Sequence, residues 1–200
     1  RKMPSTTGER QIGTKQKEIA INHRARYEWA GNVLRERLPK GAHVLDAACG
    51  CAYGSQMLAE MGFKVTCYDR SAEALEWSRF FTSPNVRFVQ ADVMDALKDN
   101  QKYDAAVSIE TIEHIKNDQA WIDGLFKAVP YLVGTVPNQN VVAFDIEKHP
   151  FHYRHYTKPE VIELFKDWEL SEWSTQYAKY ENYWMRPGDD GMTLGFLAKR

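Results

Sequence analysis

Cysteine is scarce in this chain, and its three copies, Cys49, Cys51 and Cys67, make an odd set. That excludes a disulfide framework. Cys49 and Cys51 are too close together for the usual zinc pair, and no second Cys/His pair stands at zinc-finger spacing. The thiols read as reduced, which fits a cytoplasmic protein. Long apolar runs are missing as well, so a membrane span is not expected. The opening RKMPSTTGER has no signal-peptide apolar core, which adds to the cytoplasmic expectation. An excess of one charge is also lacking: 26 Lys and Arg face 27 Asp and Glu, for a net charge of −1. This excludes a broad basic footprint for long nucleic acid and a polybasic membrane signal. A short nucleic-acid end held in a small pocket stays open. Nothing in the sequence speaks to oligomeric state.

What is present is a chain of 200 residues with 44% hydrophobic content, enough for one sizeable core. Residues 1–13 read as a flexible lead-in and 14–200 as a single domain. Apolar residues at helical spacing predict one long helix over 14–38, stopped by Pro39-Lys40-Gly41. Short apolar runs then alternate with helical patterns. Strands are predicted at 43–47, 63–68, 86–90, 103–109, 131–136, 169–176 and 192–198. Helices are predicted at 54–60, 72–81, 118–127 and 159–166, the last opened by Pro159. Such alternation predicts an α/β fold: a mostly parallel seven-stranded sheet covered on both faces. The last two strands lack a helix between them, so one runs antiparallel. Ligands of such sheets bind outside the carboxyl ends of the strands.

The motifs fall at those ends. Asp46-Ala-Ala-Cys-Gly50-Cys-Ala-Tyr-Gly54 joins the first strand to a helix. A glycine-rich loop there lets backbone approach a ligand closely. A dinucleotide is disfavoured, because Gly50-x-x-x-Gly54 is not G-x-G-x-x-G and Asp46 would repel a pyrophosphate. An acid there suits a cationic ammonium. Asp69 ends the second strand, about 20 residues on, at the spacing of an acid that holds ribose hydroxyls. Asp92 follows the third strand, where it can receive an adenine amino group while Val93 packs on the ring. Each Asp alone has a bland reading as a helix N-cap. Three acids at three successive strand ends make that joint reading improbable.

The runs VLDAACGCAYGS, VTCYDRS, FVQADVMD and YDAAVSIETIEHI resemble consecutive motifs of the class I, Rossmann-like S-adenosylmethionine-dependent methyltransferases. The resemblance spans residues 9–166. It implies a three-layer fold, S-adenosylmethionine as cofactor, and cofactor contacts from Tyr27, Asp46, Ala48, Gly50, Asp69, Arg70, Asp92, Val93 and Ile109. One departure is Ala52, where the family usually has glycine. If that position needs positive φ, Ala52 costs about 1 kcal/mol or more.

Past the fourth strand stands Glu110-Thr-Ile-Glu113-His114. One helical turn would place Glu110, Glu113 and His114 together. A histidine-rich segment, His149-Pro-Phe-His152-Tyr-Arg154-His155-Tyr, follows the fifth strand. One reading is a divalent metal site, Mg²⁺ or another ion, built from Glu110, Glu113, His114 and a later histidine. A second makes His114 a metal-free general base beside Glu113. A third is purely structural. E-x-x-E-H resembles the small-RNA 2′-O-methyltransferases, whose later motif selects His152 as the fourth ligand. It also resembles the ubiquinone-pathway O-methyltransferases. ETIEH, Pro137-Asn138 and PFHYRHYT together resemble a broad bacterial and phage-type group. His149 and His155 are expected at the surface or behind the ligands. Arg154 either binds an anion or pairs with a carboxylate.

TGER and His23-Arg-Ala-Arg26-Tyr27 resemble the opening of that same group, so the first helix is a candidate lid. Tyr27 would close over cofactor, and Arg10 or Arg26 would meet substrate. A helix packed on the sheet edge with solvated arginines explains them equally. The aromatic tail (Trp168, Trp173, Tyr177, Tyr180, Tyr183, Trp184) reads as core, with a stacking platform as the minor alternative. Three functions are carried forward. The first is O-methylation of a small hydroxylated molecule, with or without assistance from a metal. The second is 2′-O-methylation of a nucleic-acid end. The third is a non-catalytic binder of S-adenosylmethionine, which Ala52 alone favours.

Overall fold

The computed structural model describes residues 10–177 and 183–200. Thr7 to Glu9 of the TGER motif, most of the proposed lead-in, and Tyr180 lie outside the described residues. Eight strands form one sheet: β1 (His43–Ala47), β2 (Lys64–Asp69), β3 (Val86–Gln90), β4 (Ala105–Ile109), β5 (Tyr131–Pro137), β6 (Glu169–Gln176), β7 (Arg186–Pro187) and β8 (Thr193–Lys199). Their order is β3-β2-β1-β4-β5-β8-β6-β7. β3, β2, β1, β4 and β5 pair in parallel, and β8 runs antiparallel between β5 and β6. The seven expected strands are present. The eighth, β7, is two residues pairing antiparallel with β6, too short to leave a pattern in the sequence. The order reverses between β1 and β4, which opens a crevice at the carboxyl ends there.

Helices α1 (Ile21–Arg35), α2 (Tyr53–Glu60), α3 (Ala72–Ser78), α4 (Asp118–Ala128) and α5 (Lys158–Leu164) cover the sheet. Alternate residues of each strand feed two cores, as the pleat requires. Val44 and Val107 join Leu34, Leu58 and Phe63 on one face. Leu45 and Ala106 join Trp121, Leu125 and Phe196 on the other. α5 starts on a capping box, in which Thr157 and Glu160 exchange hydrogen bonds.

The expected 14–38 helix is corrected. Gln16–Glu18 forms a 3-10 turn, Ile19 and Ala20 are extended, and α1 begins only at Ile21. The break has tertiary causes. Ile19 is buried in the core, and the Gln16 amide donates to the Tyr53 carbonyl and to Gln56. These contacts pull the segment across α2 at the expense of helical continuity.

Candidate active site

A cleft of about 880 Å³ lies at the carboxyl ends of β1, β2 and β4. Its floor is the loop after β1. Ala48, Gly50 and Ala52 take φ of 56°, 57° and 66°, three left-handed residues at alternate positions. Ala52 therefore bears the strain that its position implied, about 1–2 kcal/mol. Gly50 is needed for its φ rather than for room, since an added Cβ would meet only Arg10 Cγ at 3.9 Å. Gly54 is the opposite case. Its Cβ would fall inside the Tyr27 ring. The close approach made by this glycine is to Tyr27, not to ligand.

Asp69 organises the wall beside the loop. Its Oδ2 accepts the Gly50 N–H at 2.9 Å and its Oδ1 accepts the Ser71 N–H at 2.9 Å. Arg10 lies 3.5 Å from the same carboxylate and donates to Ser71 Oγ at 3.1 Å. Arg10 thus sits over the acid expected to hold ribose. Asp92 is exposed in the cleft and caps the following 3-10 turn through the Met94 N–H at 2.9 Å. Ala48, Arg70, Val93 and Ile109 line the same cleft, as does Met94, to which the FVQADVMD run assigned no role.

Asp46 does not line the cleft. It is fully buried behind Tyr27, accepting the Tyr27 hydroxyl at 3.1 Å and the Ser55 hydroxyl at 2.6 Å. The direct contact with a ligand ammonium read from the sequence is therefore corrected: both carboxylate oxygens are turned to α1 and α2. Burial pushes the Asp46 carboxyl up to about 7, against the two hydroxyls, which favour its charge. A folded-state value above the unfolded one means that the folded protein holds the proton more tightly. The resulting stability is complete below about pH 4 and is lost as pH rises through 7. Thermal unfolding midpoints should therefore fall between pH 5 and pH 8, and Asp46→Asn should flatten that slope. An unchanged slope in Asp46→Asn would show that the carboxyl titrates normally.

At the other end of the cleft Glu110 and Glu113 part company. Glu110 has φ 48° and its N–H is shared between the Thr135 carbonyl and hydroxyl. The chain turns there instead of starting a helix. Glu110 then faces Arg26 at 3.8 Å, and Arg26 donates to Gln176. Ile112–His114 forms a 3-10 turn that buries Glu113 fully. The Tyr153 N–H donates to the Glu113 carbonyl at 2.8 Å and brings the histidine-rich segment alongside. Glu113, His114 and His152 then offer donor atoms within 4.8 Å of one another. Glu110 is not in that group. His114 Nδ1 faces the Phe151 carbonyl at 3.0 Å. A carbonyl only accepts, so Nδ1 carries the proton and Nε2 is the basic atom.

His155 is buried and His149 half-buried, and both line the cleft, so neither is a surface residue. Arg154 settles on a carboxylate: it donates to Asp118 at 2.7 Å, which also accepts the Tyr156 hydroxyl at 2.7 Å. His23 was not singled out for the cleft, yet it lines it, and burial drives its imidazole down to about 3. In the sequence it stands at helical spacing with Ile19, Tyr27 and Ala30, a pattern that marks a packed face and no chemical role.

The sequence pattern of the methyltransferase-domain family matches residues 21–182, the greater part of the chain. The chain belongs to the class I S-adenosylmethionine-dependent methyltransferases. A ubiquinone biosynthesis O-methyltransferase of Rickettsia canadensis is similar to this methyltransferase at 25% identity over 144 residues, covering 62% of this chain and 60% of that protein. The chain thus spans about three fifths of the length of the curated relatives it matches. The magnesium protoporphyrin IX methyltransferase of Synechocystis PCC 6803, solved with bound S-adenosylmethionine, has a TM-score of 0.64 at 18% identity, covering 90% of this chain and 80% of that one. The 1,6-didemethyltoxoflavin-N1-methyltransferase of Burkholderia thailandensis, with 1,6-didemethyltoxoflavin and S-adenosylhomocysteine bound, scores 0.62 at 20% identity, covering 88% and 79%. These structural likenesses show the shared fold. Among the described residues, no helix of the methyltransferase is long and apolar enough to cross a membrane.

Proposed function

We propose that this methyltransferase binds S-adenosylmethionine over the β1 loop and methylates a hydroxyl of a small hydroxylated molecule held near Glu113. The observation that carries the reading is one shared cleft. Asp69 and Asp92 face one end of it and Glu113, His114 and His152 the other. S-adenosylmethionine supplies an electrophilic methyl group on a sulfonium, so the chain has to position and deprotonate the nucleophile. Asp69 has accepting capacity beyond its two amide hydrogen bonds, which suits vicinal ribose hydroxyls. Asp92 and Val93 suit an adenine edge and face, and Ala48, Gly50, Arg70 and Ile109 close around them. Tyr27 stands between the cleft and Asp46, so the acid acts on a cationic ligand through that layer.

One carboxylate and two imidazoles suit a divalent metal, and the Phe151 carbonyl that accepts the His114 Nδ1–H is the usual outer partner of a ligating histidine. Glu113, His114 and His152 would hold such an ion. When bound, it would lower the pKa of an acceptor hydroxyl. Without it, His114 Nε2 is the atom positioned to take the hydroxyl proton. The ubiquinone biosynthesis relatives favour an oxygen acceptor. Calorimetry with S-adenosylmethionine, with and without Mg²⁺ and Mn²⁺, is the test. Cofactor binding is expected in every condition, with metal binding lost in Glu113→Ala. Failure of the cofactor to bind in all conditions overturns the reading. Metal affinity unaltered in Glu113→Ala leaves His114 as a metal-free base.

A further inference from the structure

His149 and His155, which the methyl-transfer reading does not use, form a second group with His152, which it does. Each offers a ring nitrogen, and these atoms lie within 4.8 Å of one another. The rings pack closely, with centroids 4.7 to 5.1 Å apart. His152 and His155 are buried, and all three line the cleft. His155 Nδ1 is 2.6 Å from the Val142 carbonyl, so Nδ1 carries the proton and Nε2 carries the lone pair. That lone pair faces His152 Nδ1 at 2.8 Å. An imidazole whose far N–H is anchored on a backbone carbonyl is the typical state of a metal-ligating histidine.

We infer that His149, His152 and His155 form a three-imidazole site for a borderline transition ion of the Zn²⁺ type. The donor chemistry selects the ion. Three neutral imidazoles and no carboxylate suit Zn²⁺, Co²⁺ or Ni²⁺ and offer little to Mg²⁺ or Ca²⁺. The geometry is close to what is needed. Two nitrogens bound tetrahedrally at the usual Zn–N length lie about 3.3 Å apart. The His152–His155 pair opens by about half an ångström to admit the ion, and His149 rotates in to complete the set. Proton balance is met without an external base. His152 gives up its Nδ1 proton and takes one at Nε2, so each ligand stays a neutral imidazole.

This site shares His152 with the Glu113–His114 group, and the sharing has a consequence. One neutral imidazole carries one lone pair, so His152 serves a single ion at a time. A Zn²⁺-type ion on the three histidines withdraws His152 from Glu113 and His114. The same cleft therefore discriminates between hard and borderline ions, and Zn²⁺ opposes any ion held at Glu113. That consequence rests on the proposed function; the three-histidine site itself does not.

The test is titration of the full chain with Co²⁺, read by its visible absorption, and with Zn²⁺, read by calorimetry. One ion per chain is expected. His149→Ala and His155→Ala should weaken Zn²⁺ by about 10–100-fold or more, while Glu113→Gln and His114→Ala keep the Co²⁺ spectrum. Circular dichroism and retained S-adenosylmethionine binding control for folding, and His155→Gln offers a milder second variant. If Co²⁺ and Zn²⁺ bind with unchanged affinity in His149→Ala and His155→Ala, or do not bind at all, the site is overturned. Loss of Zn²⁺ in Glu113→Gln alone would also overturn it while supporting the ion at Glu113. The converse, loss in the histidine variants with Glu113→Gln unaffected, sustains this site and leaves the ion at Glu113 to the Mg²⁺ and Mn²⁺ titrations.

Discussion

Asp69→Ala should weaken S-adenosylmethionine binding by about a hundredfold and lower stability by about 2–4 kcal/mol. The two losses have separate causes. Hydrogen bonds to a charged group contribute about 1.5–3 kcal/mol each, so losing the contacts proposed to the two ribose hydroxyls more than accounts for the affinity. Stability falls because Asp69 holds two backbone N–H groups, those of Gly50 and Ser71. Each buried donor left unpaired costs about 1–3 kcal/mol. Arg10 also loses the carboxylate that places it over the loop. Asp69→Asn separates the effects. Its carbonyl still accepts one N–H, while its NH₂ meets the other donor head on, so stability recovers in part. Calorimetry of binding and denaturant unfolding of the same samples provide the check. Full cofactor affinity in Asp69→Ala would remove this acid from the binding site.

Gly54→Ala should destabilise the protein by about 3 kcal/mol, or roughly 6–12 °C in the melting temperature of a domain this size. The added methyl would overlap Cζ, Cε1 and Cε2 of Tyr27. The ring cannot slide aside, because it is buried and packs edge-on against Tyr53 with centroids 5.4 Å apart. Displacing it also breaks the Tyr27–Asp46 hydrogen bond and leaves a buried carboxyl with Ser55 alone. In a double-mutant cycle, Tyr27→Ala should remove most of the cost of Gly54→Ala, because the clash exists only when both groups are present. If Gly54 served only backbone approach to cofactor, Gly54→Ala would leave the melting temperature untouched and weaken binding alone. Simple additivity in the cycle would show that the two residues do not meet.

The layered α/β architecture was legible because it rests on local and periodic signals. Runs such as HVLDA and YDAAVSI are short and continuously apolar, as fully buried parallel strands must be. The turn signal at Pro39-Lys40-Gly41 marks a real interruption between α1 and β1. Strand ends then follow from strand positions, which is why Asp69, Asp92 and the β1 loop could be brought to one crevice on sequence grounds. The positive φ of Ala52 was implied by the glycine usual at its place.

What the sequence by itself determined, then, is the order of the main elements, the strand ends at which Asp69 and Asp92 stand, and the family. The tertiary structure decided the rest. Spacing put Glu110 and Glu113 on one helical turn, yet a left-handed residue at 110 sends one to Arg26 and the other to His152. Asp46 stands at a strand end as expected, but the direction of its side chain depends on Tyr27 and Ser55, from two different helices. His149, His152 and His155 lie in a segment without periodicity. A backbone hydrogen bond from Tyr153 to Glu113 and the carbonyl of Val142 bring them together. Strand and helix positions follow from patterns within a dozen residues. The aim of a buried side chain depends on contacts made across the whole chain, and those form only when the sheet and its helices close.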